Sequence, residues 1–225
     1  MKIIWHGHAF IEIQTAGKQL LIDPFIEGNP FTNTKATDYD PDYILLTHAH
    51  KDHVGSTEEI AKRSGASIIA MTDLASYFAD KGYQTYGPNI GGSEDLDFGK
   101  VKIIPAWHTT AAPVKGVNLP LGVATGLALT IEDKLIYIAG DTGLFLDMQL
   151  VGCKQPVDVA FLPIGDHFTM GIDDAAYAAK LLGAKTVVPV HYNTFPPIKQ
   201  DPHQFLDLLE DHNGYLPKVD QPWTL

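Results

Sequence analysis

Four side chains that commonly bind metal ions in proteins lie together in the stretch LLTHAHKDHVG. They are His48, His50, Asp52 and His53. Imidazole and carboxylate groups together suit Zn, Mn, Fe or Ni. Four such groups within six residues do not easily reach one ion. Because successive side chains point in alternate directions, His48 and His50 can face one position while Asp52 and His53 reach a second one. The spacing therefore predicts two metal ions rather than one.

Three further candidates each follow a predicted strand. His108 follows VKIIPAW, Asp141 follows KLIYIAG and His191 follows TVVPV. Each alone also fits an exposed loop residue or, for the aspartate, a turn in GDTG. Ten His in 225 residues bring some pairs together by chance, so a polar loop is the alternative for the histidine cluster as well. Together the candidates complete the ligand count, because two ions with open positions need about six or seven protein ligands.

The segments that must position these side chains alternate between predicted strands and helices. Strands are predicted over KIIW, FIEIQT, KQLLID, DYILLT, ASIIAM, EDLDF, VKIIPAW, TGLALTIE, KLIYIAGD, VDVAFLP and KTVVPVH, with hairpin turns at AGK and DK. Helices are predicted over GSTEEIAKRSG, TDLASYFADKG and DDAAYAAKLLG, and near PHQFLDLLEDH. We expect Ser56 and Glu59 to form a capping box, and Thr72 and Asp173 to cap the next two helices.

The order of these elements indicates the fold class. Alternating strands and helices imply parallel strands with helices outside, and the strand-rich middle adds antiparallel pairs. The sequence therefore predicts an α+β fold in which two sheets form the core and helices cover both outer faces. We expect residues 1–225 to form a single domain.

Composition narrows the class of protein. The formal net charge is −11 and no run of Lys and Arg is present, which argues against nucleic acid and an anionic membrane as partners. Cys153 is the one cysteine, so no internal disulfide can form. The first residues do not resemble a secretory signal, and the apolar stretches fall short of the roughly 20 residues that a membrane span needs. We expect a cytoplasmic protein without membrane insertion.

The motif THAHKDHVG carries a family resemblance. It matches the His-x-His-x-Asp-His signature of the metallo-β-lactamase superfamily, and the later His108, Asp141 and His191 follow in the order of that superfamily. The segments GHAFIEI, LLIDPF, GDTG and LPIG resemble most closely a branch of metal-dependent hydrolases related to ascorbate-6-phosphate lactonase and N-acylphosphatidylethanolamine phospholipase D. The resemblance implies a four-layer αβ/βα sandwich with the site along one edge, between the sheets.

The resemblance also implies a role for each candidate. The first metal ion would bind His48, His50 and His108, and the second would bind Asp52, His53 and His191. Asp141 would bridge the two ions. In WHGHAF, His8 would lie beside the second ion as an additional ligand or as a group that contacts substrate, whereas His6 would be a partly exposed strand residue. An extra imidazole would favour Ni or Mn over tetrahedral Zn.

The implied chemistry is hydrolysis of a small ester substrate. Two divalent ions about 3.5–4 Å apart lower the pKa of a shared water toward neutrality, and Asp52 would orient that water. Zinc is the default for a histidine-rich site, with manganese, nickel or iron as alternatives. The substrate would be a small molecule such as a phosphodiester, a phosphorylated lactone or a similar cyclic ester, and a homo-oligomer is compatible with the sequence.

Two other functional classes remain open. A di-iron redox protein on the same fold usually carries Glu at the position of His50 and is followed by a flavin domain, and neither feature occurs in this chain. A metal-binding protein without hydrolase activity is the other alternative.

Residues near the signature have less definite interpretations. Asp23 is either a hydrogen-bond acceptor for a ligating histidine or the start of a turn before proline. Asp166 and His167 either face the substrate or belong to an ordinary loop. We expect Cys153 to be a bystander, and His203 and His212 to be surface residues.

Overall fold

The computed structural model describes residues 1–114, 116–209 and 213–225. The α-helices in these ranges are α1 (Lys51–Val54), α2 (Thr57–Ser64), α3 (Thr72–Asp80), α4 (Ile172–Leu182) and α5 (Pro202–Asp207). The strands are β1 (Lys2–Trp5), β2 (Ile11–Thr15), β3 (Lys18–Ile22), β4 (Tyr43–Leu45), β5 (Ser67–Ile69), β6 (Thr85–Tyr86), β7 (Ser93–Leu96), β8 (Gly99–Pro105), β9 (Ala111–Val114), β10 (Val117–Pro120), β11 (Thr125–Ile131), β12 (Lys134–Ile138), β13 (Val157–Pro163), β14 (Thr186–Val190) and β15 (Trp223–Thr224). Short 3-10 helices span Ala36–Asp38, Leu146–Leu150 and Pro196–Ile198.

The first sheet has seven strands in the order β15-β1-β2-β3-β4-β5-β6. Its N-terminal strands β1, β2 and β3 form an antiparallel meander. From β3 to β6 the strands are parallel, because the loop after β3 and the helices α2 and α3 after β4 and β5 return the chain to the same end of the sheet. The β-α-β-α interpretation of this region is therefore confirmed.

The second sheet has six strands in the order β14-β13-β12-β11-β8-β7. The pairs between β7, β8, β11 and β12 are antiparallel, and β12, β13 and β14 are parallel. The predicted hairpin between β11 and β12 turns at Glu132 and Asp133, which both have positive φ angles, 48° and 62°. A turn with two such residues matches the right-handed twist of its strands.

Buried side chains separate the molecule into layers. One core cluster joins side chains from both sheets and from α4, among them Ile13, Leu127 and Ala178. A second cluster lies between the first sheet and the helices α2 and α3, and includes Ile44 and Phe78. Helices thus cover the outer faces of two packed sheets, as expected for the predicted four-layer α+β sandwich. No helix within the described ranges has the length and apolar character that a membrane span requires.

Several local predictions were wrong. Ser56 is the N-cap of α2 but its side chain makes no capping hydrogen bond, so the expected box with Glu59 does not form. Met71 is the N-cap of α3, and the Thr72 hydroxyl instead donates to the carbonyl of Gly87. Helix α4 begins after an N-cap at glycine, which leaves Asp173 in the first turn. In the first turn, the carboxylate of Asp173 stabilises the helix by interacting with the helix dipole rather than by capping a backbone N–H.

The hairpin of β9 and β10 has no counterpart in the sequence prediction. Each of its strands contains a proline, at positions 113 and 120, and all four residues of β10 are exposed. Such strands lack the alternation of apolar and polar residues from which strands are predicted. The hairpin begins just beyond His108, and the Thr110 hydroxyl accepts the backbone N–H of Ala49. It is thereby attached to the loop that carries the histidine signature.

Candidate metal centre

The signature residues lie on a tight turn between β4 and α2. His50 is the N-cap of α1, and Gly55 ends this helix with a φ of 45°. A Cβ atom at Gly55 would collide with the carbonyl oxygen of Pro24, and that same oxygen accepts the backbone N–H of Ser56 at 2.9 Å. Glycine is therefore required where the chain passes so close to its neighbour.

The structure brings the eight candidate ligands together in two groups. Within each group the ligand atoms lie within 4.8 Å of one another. The first group is His48, His50, His108 and Asp141, and the second group is His8, Asp52, His53 and His191. The signature thus divides as its alternation predicts, with the first two histidines in one group and the other two residues in the second.

Three ring nitrogens converge in the first group. The His48 Nε2 atom lies 2.9 Å from His50 Nδ1, and His108 Nε2 lies 3.3 Å from the same atom. Burial lowers the pKa of the His48 imidazole well below its ordinary value. A neutral ring keeps a lone pair available for a cation.

The second group combines residues from distant parts of the chain. His8 Nε2 lies 3.1 Å from Asp52 Oδ2, and His191 Nε2 lies 3.8 Å from that oxygen. The rings of His8 and His191 have centroids 4.1 Å apart. Burial lowers the pKa of His8 to about 3, so this ring too is neutral at neutral pH.

The carboxylate of Asp141 lies between the two groups. It approaches His53 Nε2 at 3.3 Å and His191 Nε2 at 3.1 Å. It also approaches His108 Nε2 at 3.5 Å and His48 Nε2 at 3.8 Å. Burial by itself would raise the pKa of Asp141, but the charges on His191 and His53 hold it well below its ordinary value. The carboxylate is therefore ionised and shared by histidines of both groups.

Asp23 orients a histidine in each group. It accepts a hydrogen bond from His53 Nδ1 at 2.8 Å, and its oxygens also accept the Thr47 backbone N–H at 2.9 Å and the Thr47 hydroxyl at 2.6 Å. Because the hydroxyl hydrogen points to Asp23, the Thr47 oxygen accepts from His48 Nδ1 at 3.0 Å. Both rings thus carry hydrogen on Nδ1 and direct Nε2 into the site. The hydrogen-bonding interpretation of Asp23 is confirmed.

Thr194 makes the corresponding contact with His8. The Thr194 Oγ1 atom lies 2.8 Å from His8 Nδ1, and its hydroxyl is directed at the carbonyl of Tyr192, 3.4 Å away. The contact fixes the orientation of the His8 ring, whose Nε2 atom faces Asp52 in the second group. The sequence analysis missed Thr194, since nothing in the order of residues relates position 194 to position 8.

Two site residues have left-handed backbone conformations. The φ angles of His8 and His191 are 53° and 54°, which is uncommon for residues other than glycine. Hydrogen bonds hold this geometry. The carbonyl of His8 accepts the backbone N–H of His191 at 3.0 Å and the indole N–H of Trp5 at 3.0 Å.

The chemistry of the donor set fits divalent cations. Six buried polar side-chain atoms have no hydrogen-bond partner among the described residues, and three of them are His53 Nε2, Asp141 Oδ1 and His191 Nε2. Buried polar atoms are rarely left unpaired, and these three belong to the two ligand groups. Six imidazoles with two carboxylates form a set that suits zinc and its neighbours in the transition series.

His6 differs from the prediction. It is buried rather than partly exposed, with a relative accessibility of 4%. Its Nδ1 atom lies 2.6 Å from Asp220 Oδ1, and its Nε2 atom lies 3.1 Å from Glu12 Oε2. Asp220 lies 214 residues away in the sequence, which explains why the burial of His6 was missed. His6 belongs to neither ligand group.

The remaining candidates lie outside both ligand groups. Asp166 and His167 are exposed on the loop between β13 and α4, and Cys153 and His203 are also exposed, as expected of a bystander and a surface residue. His212 lies outside the described residues.

The fold and the site together define the class of protein. Helices cover two packed sheets, and a histidine-rich centre lies at the ends of the strands, as in the metallo-β-lactamase fold. The family model described as "Beta-lactamase superfamily domain" matches residues 2–191. A relative from Ligilactobacillus salivarius, called a UPF0173 metal-dependent hydrolase, is 64% identical over the whole of both chains. A relative of the same name from Geobacillus thermodenitrificans is 56% identical and covers 93% of each chain.

A solved structure agrees with these relatives. Igni18, described as a novel metallo hydrolase from Ignicoccus hospitalis, superposes with a TM-score of 0.90 at 36% identity, covering 100% of this chain and 98% of its own. The chain therefore belongs to the UPF0173 metal-dependent hydrolase family of the β-lactamase superfamily.

Proposed function

We propose that this protein is a dinuclear metal-dependent hydrolase that cleaves an ester bond in a small molecule. The observation that carries the proposal is the position of Asp141, whose carboxylate lies within 3.8 Å of histidines from both ligand groups. A shared carboxylate is suited to hold two cations side by side. The family name shared by the relatives supports metal dependence.

Each residue has a proposed role. His48, His50 and His108 would hold the first ion, Asp52, His53 and His191 would hold the second, and Asp141 would bridge them. His8 would be an additional ligand of the second ion. Its side chain has no exposed area and its Nε2 atom faces Asp52, which favours a ligand over a group that contacts substrate.

Side chains around the centre would orient the attacking water and hold the ligating rings in position. Two divalent ions, when bound, lower the pKa of water and polarise the substrate oxygen on which negative charge develops. The side chain of Asp52 is 27% exposed, against 4% for Asp141. Asp52 therefore faces the open side of the centre, and we assign it the orientation of the attacking water and the acceptance of its proton. Asp23 and Thr194 keep the ligating rings in position.

The proposed substrate is a small molecule, such as a phosphodiester or a phosphorylated lactone. Zinc is the first choice of metal because histidine dominates the donor set, and the fourth protein ligand from His8 makes manganese, nickel or iron alternatives.

Metal analysis combined with hydrolysis assays tests the proposal. Purified protein should contain two divalent ions per chain, and panels of phosphodiesters and lactones should reveal an activity that a chelator removes. His48→Ala should abolish this activity, and His8→Ala should lower the content of the second metal. His203→Ala, at an exposed histidine on α5, is the matched control and should change neither quantity.

Three results would contradict the proposal. Activity that survives both complete metal removal and His48→Ala would exclude the proposed chemistry. Redox-active iron or a flavin absorption band would support the redox alternative. Two bound metal ions without hydrolysis of any ester would indicate a binding protein.

A further inference from the structure

A groove of about 420 Å³ lies on the outer face of the second sheet, away from the first sheet. None of its lining residues belongs to the two ligand groups. Its floor is formed by side chains from neighbouring strands, including Ile104 of β8, Ala128 of β11 and Leu135 of β12. Ala128 contributes only a methyl group at the centre of the sheet, which leaves space above it.

Apolar side chains also line the walls of the groove, beside the polar side chains of Asp147 and Gln155. Phe145 and Leu150 belong to the segment around the 3-10 helix Leu146–Leu150, and Ile90 closes the opposite side. The exposed fractions of Leu150 and Ile90 are 57% and 41%. Helix α4 packs on β13 and on this 3-10 helix, and the groove lies beside it over β8 and β11. The apolar surface of the groove is therefore open to a ligand.

Lysines line this apolar surface in a protein whose net charge is −11. Lys100, Lys102 and Lys154 all contribute to the groove. Lys100 pairs with Asp95 at 3.1 Å. Among the described residues, Lys102 and Lys154 have no ion-pair partner, and both are exposed. Two available cations beside an apolar floor are complementary to an anion that carries an apolar chain.

We infer that this groove binds a small organic anion with an apolar tail, such as a medium-chain carboxylate. Its volume is within the usual range for small-molecule sites, roughly 300–1,000 Å³. A small anion is a better occupant than a second copy of the chain, because it places a negative charge beside Lys102 and Lys154. The site goes beyond the proposed hydrolase function, since none of the residues assigned to that function lines it.

Cys153 provides the readout. It is the only cysteine of the chain, it is exposed, and it lines the groove. The rate of its alkylation by iodoacetamide should fall about tenfold when decanoate saturates the groove. Butyrate should give no protection because it lacks the apolar tail, and 1-decanol should bind more weakly than decanoate because it lacks the charge. Calorimetry gives the affinities directly.

Charge reversal tests the role of the lysines. Lys102→Glu should lower decanoate affinity by on the order of tenfold, as expected for the loss of a charge-assisted contact, and should leave 1-decanol binding unchanged. Lys62→Glu, at an exposed lysine on α2, makes the same change in net charge and should have no effect. Lys154→Glu is a second variant in case the first unfolds, which circular dichroism will show.

Several results would overturn the inference. Absence of decanoate binding and of Cys153 protection would exclude the site, and equal binding of decanoate and 1-decanol would exclude recognition of an anion. Sedimentation that shows a dimer dissociated by Lys102→Glu would assign the groove to a second copy of the chain instead.

Discussion

Asp23→Asn should weaken both metal positions at once. Asp23 is completely buried and accepts three hydrogen bonds, one from His53 and two from Thr47. Its φ angle of 47° is one that asparagine adopts readily, so the substitution preserves the backbone and the side-chain shape. It removes the negative charge and directs an amide N–H₂ at groups that donate hydrogen.

The size of the effect follows from these contacts. Asparagine can still accept the Thr47 backbone N–H through its oxygen, but its amide nitrogen then replaces Oδ2, which accepts both the Thr47 hydroxyl and His53 Nδ1. Loss of such an orienting partner typically lowers metal affinity about 10–100-fold, which corresponds to about 1.4–2.8 kcal/mol. We expect this loss of metal affinity at the second group, because His53 loses the acceptor that orients its ring. At the first group we expect about a tenfold loss, since Thr47 transmits the change to His48.

Competition with a chromophoric chelator measures the two dissociation constants separately. Asp158→Asn is the matched control, because Asp158 is also buried and accepts the backbone N–H of Leu135 at 2.9 Å and Lys185 Nζ at 2.8 Å. It should lower stability and leave metal affinity unchanged. Unaltered affinities in Asp23→Asn, or weakening of one position alone, would refute the role of Asp23 in orienting both groups.

Three further predictions concern other contacts. Thr194→Val should lower affinity at the second group about tenfold without affecting the first group, and equal losses in the same chelator assay would contradict it. Gly55→Ala should cost about 3 kcal/mol or more in urea unfolding, because its Cβ would collide with Pro24, whereas Gly65→Ala, with open space and a φ of 76°, should cost about 1–2 kcal/mol. Burial would raise the pKa of Asp158, but its lysine hydrogen bond keeps it below its ordinary value. The stability that ionised Asp158 contributes is therefore complete above about pH 4 and is lost as the pH falls through the pKa of the folded protein. Asp158→Asn should lower the free energy of unfolding by about 1–2 kcal/mol at pH 7 and by less at pH 3. An equal loss of stability at the two pH values would contradict the role of the ionised carboxylate.

The sequence predicts most of the fold and the division of the signature because both depend on local patterns, whereas the assignment of the other ligands to the two groups came from the family resemblance. The signature from His48 to His53 is contiguous, and its division into two groups follows from alternation over a few residues. His108, Asp141 and His191 each follow an apolar run that is recognisable as a strand. Strand ends at one edge of a sheet converge by topology, without any specific long-range contact.

The features that were missed depend on contacts between distant segments. Burial of His6 requires Asp220 from the C-terminal segment, and the orientation of His8 requires Thr194. Neither partner is near in sequence. The caps at Ser56 and Thr72 failed for a different reason, since a side chain that can cap a helix also has other hydrogen-bond partners.

The hydrogen bond between the His8 carbonyl and the His191 N–H has a consequence for biosynthesis. The first ligand group is complete once residue 141 has been translated, whereas the second joins position 8 to position 191 and needs nearly the whole chain. Contacts of such long sequence separation form late, because the entropy of closing the intervening chain opposes them. On the ribosome the contact between the loop after β1 and the loop after β14 must therefore form late, and occupation of the second group would show that both halves of the sandwich have joined.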